Sequence, residues 1–300
     1  MKKIFAWLFL LCFISSCEKD FVVKEQSTSK GMVINCLFTD AWQIAAYITV
    51  SYTSPGTNNI QVVSDANMEL YEDGVFKEVL TYIPSDTLGT FGQYQSQLIP
   101  QKGKKYLIKA THPLYGVATA EDVVPLPAEI ISHQLLQYPD TINKLRDAIV
   151  TFRFRDDGTQ ENFYRLNVWF DATYPIITSN GDTIQQDYSN GLRPYLITTL
   201  SDTVRDNGWY VLFSDKGMNG NEKEVQVKFR NAELAEYYSS MNLYVELYTV
   251  SKTHFEYQRT LELYQNSGNI ADPVHVYSNV QNGYGIFAAS DFQRMQFVVK

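Results

Sequence analysis

The chain is poor in cysteine, in histidine and in clustered basic residues, and it has no long apolar run. Its 300 residues include 3 cysteines and 4 histidines. Cys12 and Cys17 lie in or just behind the first apolar stretch, which leaves Cys36 for the folded part. One thiol cannot close an internal disulfide, so stability has to come from a buried core, which a chain of this length can supply. Cys36 sits in an apolar run, where a thiol is buried and inert rather than reactive. His112, His133, His254 and His275 show no i, i+4 pairing, and neither HExxH nor a paired CxxC occurs. Zinc chemistry has no support in that pattern. A G-x-S-x-G elbow and a glycine-rich phosphate loop are missing too. No catalytic residue, metal or cofactor is therefore assigned. The formal charge is −8. With no basic cluster, this argues against nucleic acid as a partner and against anionic lipid held by charge. The longest apolar run at the head of the chain, Ile4 to Ile14, has 11 residues, whereas a helix across a bilayer needs about 20.

What that head does hold is the grammar of a secretory signal. Lys2 and Lys3 form a charged start, Ile4 to Ile14 the apolar middle, and Ser15 and Ser16 the small residues a signal peptidase accepts. The pattern Ile14-Ser15-Ser16-Cys17 resembles the bacterial lipobox. That resemblance implies cleavage between Ser16 and Cys17, a diacylglycerol thioether on Cys17, and an acylated new N-terminus. Two or more acyl chains hold firmly, since each buried methylene adds about 0.8 kcal/mol. Glu18, Lys19 and Asp20 follow at once. A short acid-containing tag in this place resembles a surface-export signal and implies the outer leaflet of the outer membrane, facing the medium. Losing residues 1–16, with Lys2 and Lys3, takes the formal charge from −8 to about −10.

The rest reads as mainly β. Residues 17–30 form a lipidated tether. Met32 to Phe38, Trp42 to Ser51, Ala66 to Tyr71, Val75 to Leu80, Tyr94 to Leu98, Lys105 to Thr111 and Val117 to Val123 are short strand-like runs. Asp73-Gly74 signals a hairpin. This spacing predicts an immunoglobulin-like β-sandwich over 31–127. Pro125-Leu126-Pro127 marks a boundary, because two prolines stiffen a linker and remove ladder donors. A β-rich C-terminal domain follows over 128–300. In it Tyr164, Leu166, Val168 and Phe170 share one face, with Arg165 and Asn167 opposite. Asn180-Gly181-Asp182 turns a hairpin between Ile176–Thr178 and Thr183–Gln185. Val274–Tyr277, Tyr284–Ala288 and Gln296–Val299 are the expected last strands. Two minor helices are predicted, Asn231 to Met241 and Ser251 to Gln265; the second carries His254, Tyr257, Leu261 and Tyr264 on one face.

Oxygen-rich loops and tryptophans are the remaining candidates for chemistry. Asp156-Asp157-Gly158 suits a turn, and no EF-hand spacing follows it. The 214–224 loop, with Asp215, Asn219, Asn221 and Glu222, is a calcium candidate against a plain solvated loop. Trp169 and Trp209 lie in apolar runs, where core packing is the commoner role. Trp42 starts a strand and is the one most available to stack on a glycan.

Several blocks together resemble the Bacteroidota-type outer-membrane surface lipoproteins of unknown function, often encoded beside TonB-dependent receptors. They are Ser16-Cys17 with Glu18, the Tyr106 to Ala110 segment, and the Pro125–Pro127 junction. The second half adds Phe154-Arg155-Asp156-Asp157-Gly158 with Asn162-Phe163-Tyr164-Arg165, and Phe213-Ser214-Asp215 with Asn219-Gly220. The last block is Val276-Tyr277-Ser278-Asn279-Val280 with Asn282-Gly283-Tyr284-Gly285-Ile286-Phe287. The resemblance implies a cell-surface accessory to a transport or assembly channel and implies no reaction; with catalytic motifs missing, the expectation is a non-enzymatic lipoprotein partnering an outer-membrane TonB-dependent transporter or another barrel in nutrient uptake. A stand-alone surface module for glycan or peptide is the alternative. Asn and Gly in the last block suit positive-φ turns, which explains them structurally.

Overall fold

The computed structural model describes residues 30–51, 60–85, 91–140, 145–206, 209–229, 238–267 and 274–299. Alternation of apolar and polar residues is visible from the first strand, where Met32, Ile34, Cys36 and Phe38 are buried and their neighbours are not. The first half holds β1 (Met32–Thr39), β2 (Ala45–Val50), β3 (Asn67–Glu72), β4 (Val75–Val79), β5 (Thr81–Ile83), β6 (Gln93–Gln95), β7 (Lys105–His112) and β8 (Gly116–Val123). The second holds β9 (Glu129–Asp140), β10 (Leu145–Arg155), β11 (Phe163–Ile177), β12 (Thr183–Leu192), β13 (Tyr195–Leu196) and β14 (Ser201–Asp206). It continues with β15 (Tyr210–Ser214), β16 (Glu222–Phe229), β17 (Ser240–Val250), helix α1 (Lys252–Asn266), β18 (Tyr284–Ser290) and β19 (Gln293–Val299). The fold is mainly β.

Two cores divide at the proline-rich junction. The first packs Ile34 and Ile48 of one sheet against Met68, Leu70, Ile108 and Ala110 of the sheet β4-β3-β7-β8. The second packs Leu166, Val168, Leu243 and Val245 against Val150, Phe152, Val225 and Val227 of the sheet β13-β16-β10-β9. Each is a sandwich, because a sheet with one apolar face has to bury it on another. One sheet runs through both: β18 pairs parallel with β1, from Val33↔Tyr284 to Thr39↔Ser290, and touches β17 at Val250↔Ser290. Val280, Phe287 and Ala289 thereby join the first core. The described residues from Gly31 onward form one compact unit.

The closing block of the sequence makes this crossing possible. Asn279 imitates a strand backbone. Its Nδ2 donates to the carbonyls of Glu121 (3.1 Å) and Phe287 (2.8 Å), and its Oδ1 accepts from the Phe287 N–H (3.0 Å). Gly285 has φ +98°, and a Cβ there would lie 2.1 Å from the Ile34 carbonyl oxygen. Only glycine fits so close to a neighbouring strand.

Three expectations are corrected. Val274–Tyr277 is not a strand; the Tyr277 N–H instead donates to Thr260 Oγ1 on α1 (2.8 Å). The runs at 163–170 and 176–178 are one strand of 15 residues. Pro175 is tolerated there because β17 pairs only as far as Thr173, leaving Pro175 on a two-stranded ribbon with β12. Met241 lies in β17 rather than at a helix end; residues 231–237 of that expected helix lie outside the described residues. The second helix forms as read, with Ser251 as N-cap accepting from the His254 N–H.

Candidate functional site

Strand pairing builds the site by bringing alternate residues of three strands onto one face. The even residues of β11 enter the second core, which turns Arg165, Asn167, Trp169 and Asp171 outward. Their cross-strand partners on β17 are Tyr248, Glu246, Tyr244 and Asn242. On β19, Arg294 lies opposite Glu246 and Gln296 opposite Tyr244. Helix α1 covers one end of this face. There Phe163, Tyr210, Leu212 and Tyr248 close over Phe255 in a third apolar cluster. Among the described residues, no helix covers the end carrying Trp169, Tyr244 and Arg294.

Within the open end, Trp169 and Tyr244 stack with ring centroids 4.1 Å apart and planes 14° apart. The Arg294 guanidinium lies over both rings, at 4.8 and 5.2 Å. Glu246 accepts from Trp169 Nε1 (2.6 Å) and pairs with Arg294 (2.9 Å). Asp171 accepts from Asn242 (2.8 Å) and Tyr244 (2.7 Å). Burial first, and the Asp171 hydrogen bond second, raise the Tyr244 pKa, so this phenol stays protonated. Phe292 carries the aromatic line onward, packing on Tyr248 (5.3 Å) and on Trp42 (5.0 Å). Trp42 is 53% exposed. The result is a surface on which Trp169 and Arg294 are partly exposed above buried Tyr244 and Glu246.

The other sequence candidates fall elsewhere. The turn at Asp156-Asp157-Gly158 and the 214–224 loop, far apart in sequence, meet around a polar cleft of about 650 Å³. Carboxylate oxygens of Asp156, Asp215 and Glu222 are engaged by the fold. Asp156 accepts from Tyr164 Oη (2.5 Å) and from the Gly220 N–H (2.7 Å). Asp215 accepts from the Asn162 N–H (2.9 Å), Glu222 pairs with Arg155 (2.9 Å), and Asn221 donates its Nδ2 to the Met218 carbonyl. Burial, then the charges of Asp156 and Glu161, push the Asp215 pKa up. Among the described residues, no group of three or more His, Cys, Asp or Glu converges as a metal would require. Addition of a chelator is expected to leave both the melting temperature and the proteolysis of the 214–224 loop unchanged; a fall of more than a degree or so would restore the calcium reading.

Trp209 is corrected. It is 46% exposed, with Arg193 5.5 Å from its ring, because it precedes β15 instead of lying inside it. The histidines stay apart: His112 bonds Asp65, His133 meets Phe297 edge-on, and His254 is buried on α1. Cys36 is buried, and its thiol is pushed well above its ordinary pKa by desolvation. Ser16, Cys17, Glu18, Lys19 and Asp20 lie outside the described residues.

A family model described as "Domain of unknown function (DUF4249)" matches residues 18–296. The chain belongs to the DUF4249 family. No curated protein matches it in sequence. Among solved structures, it is similar to one described as "Complete structure of manganese lipoxygenase of Gaeumannomyces graminis and partial structure of zonadhesin of Komagataella pastoris". That likeness has 9% identity and a TM-score of 0.21 over 90% of this chain and 95% of the other. Likeness at that level carries no argument about this DUF4249 chain. No helix among its described residues is long and apolar enough to cross a membrane.

Proposed function

We propose that this chain is a non-enzymatic cell-surface lipoprotein, anchored through Cys17 to the outer membrane. Its role is that of an accessory to an outer-membrane barrel of the TonB-dependent receptor class in nutrient uptake. The observation that carries this reading is the lipobox Ile14-Ser15-Ser16-Cys17 with Glu18-Lys19-Asp20 directly behind it. The body it would tether supports the reading. Buried carboxylates such as Asp156, Asp215 and Glu246 are engaged by backbone, phenol or guanidinium groups. The open aromatic face around Trp169 and Arg294 offers a protein partner the aromatic and Arg side chains that dominate such contacts. Mild detergent extraction of the native protein is expected to bring a barrel protein with it. A lipoprotein that is solitary at every detergent concentration overturns the proposal.

One observation favours the alternative, a stand-alone module for glycan or peptide. Trp42 exposes half its indole beside Phe292, and an indole face stacks on a sugar ring or an aromatic residue. On that reading a glycan and peptide screen finds a ligand whose affinity falls about tenfold or more in Trp42→Ala. Equal binding by both proteins, or none by either, removes it.

A further inference from the structure

The chain enters the first sandwich at Gly31, and the surface around that point has an unusual composition. Gly31 and Ser51 bond each other twice: the Gly31 N–H donates to Ser51 Oγ and the Ser51 N–H to the Gly31 carbonyl, both at 2.9 Å. The Val50 N–H donates to the Gln61 carbonyl (3.0 Å), and Gln61 Nε2 reaches Tyr115 Oη (3.2 Å). That places Ile60 and the β7–β8 turn at the same end. Thr119 and Gln281 bridge, Gly283 sits against Met32 and Ala118, and the Tyr284 ring lies against Gly31. Three loops far apart in sequence thus gather around the entry point. They expose Ile60, Leu114, Val117 and Tyr284, with Leu114 at 80% the most exposed large apolar residue described. None of the four is charged. Gln61, Tyr115, Gln281 and Asn282 beside them are neutral. The acid among the described residues there is Asp65, which contacts His112 (3.2 Å) and is 78% exposed at its side chain. In a chain of net charge −8, this is a place where four apolar side chains meet a single exposed carboxylate among the described residues.

We propose that this end of the sandwich rests on the lipid surface, with Leu114, Ile60 and Val117 in the interfacial layer and the Tyr284 phenol at headgroup level. The proposal rests on the reading of Cys17 as lipidated. Thirteen residues separate Cys17 from Gly31, which limits the reach between lipid and Gly31 to about 50 Å even at full extension. The patch has the shortest path to the bilayer because it surrounds the point where the tether joins. Exposed apolar and tyrosine side chains rimmed by neutral polar groups suit the boundary between headgroup and acyl chain. The body would then stand upright, with the opposite end of β7 facing the medium. Leu114 lies two residues past His112, the last residue of β7, whereas Val75 lies at the other end, since Glu72 pairs with Tyr106 and with Val75. The two points are separated by about 20–25 Å along the strand.

The test uses the full lipidated chain in vesicles of phosphatidylethanolamine and phosphatidylglycerol. An environment-sensitive fluorophore is placed at Leu114→Cys in one sample and at Val75→Cys in another. Nitroxide lipids labelled near the headgroup are expected to quench the first probe at least threefold more than the second. Mass spectrometry of the N-terminal peptide reads the lipid on Cys17 separately. A modified Cys17 with equal quenching at both positions overturns this proposal and leaves the anchor standing. An unmodified Cys17 overturns the anchor, and this proposal with it. If Leu114→Asp together with Tyr284→Ser abolishes co-purification with a barrel protein, and the Leu114 probe is unquenched by lipid, the patch faces a protein and the proposal fails.

Discussion

Between neutral pH and about pH 4.5, His254 alone is expected to cost the protein about 3 kcal/mol of stability. This side chain is the third residue of α1, and it is buried with neither ring nitrogen in a hydrogen bond. Burial, and then the nearby positive charge of Arg165, lower its pKa from 6.5 to about 3. A helix N-terminus disfavours a cation as well. In the unfolded chain the imidazole titrates near 6.5, so below that pH the unfolded state binds a proton that the folded state refuses. The folded state keeps its full stability above about pH 6.5 and loses it progressively toward pH 3, at about 1.4 kcal/mol per pH unit. His254→Leu has no such titration. It also removes a donor and an acceptor that are buried without partners, so it should be neutral or stabilising at pH 7. Urea denaturation of both proteins at pH 7 and pH 4.5 reads the difference. Equal losses in the two proteins would show that His254 is solvated or paired.

Removing the Lys102 charge should have an effect of similar size. Asp291 is fully buried, and Lys102 Nζ lies 2.6 Å from its Oδ1 and 3.4 Å from Asp40 Oδ2. Asp40 in turn accepts from the Phe292 N–H (2.9 Å), and the Asp291 N–H donates to the Thr249 carbonyl (2.8 Å). Burial raises the pKa of Asp291 and Lys102 only partly counters it; on Lys102, burial acts downward and the two carboxylates outweigh it. Breaking a buried pair from one side costs about 3–5 kcal/mol. Water reaches Lys102, so the lower figure, about 3 kcal/mol, is the expected loss for Lys102→Met at pH 7. The loss should shrink as the pH falls and Asp291 takes up a proton, because a neutral carboxyl needs no counter-charge. Lys102→Met with Asp291→Leu should recover most of it. A single variant as stable as the parent at pH 7 would mean that the pair contributes nothing.

Much of the fold was legible because it is local. Asp73-Gly74 and Gly181 place positive φ where hairpins need it, Ser251 caps α1, and Pro125–Pro127 falls between the two cores. The alternation Tyr164, Leu166, Val168, Phe170 marked the buried face of β11. The same alternation, carried from Arg165 and Asn167 to the next odd position, puts Trp169 outside. Apolar character had argued for the core, but the indole is half-buried on the outer face because Tyr244 and Arg294 cover it. Tyr244, Glu246 and Arg294 had no signal of their own, since only the β17–β19 register brings them to Trp169. The meeting of the 156–158 turn with the 214–224 loop was hidden for the same reason.

The parallel pairing of β1 with β18 has a consequence for biogenesis. Ile34 and Gly285 are neighbours in space and 251 positions apart along the chain. Contacts of such long range close late, since the loop entropy must be met before they return any energy. The first sandwich lacks Phe287 and Ala289 until β18 has been made. A chain made from its N-terminus therefore waits with Ile34, Cys36 and Phe38 uncovered on one side until its last strands are present.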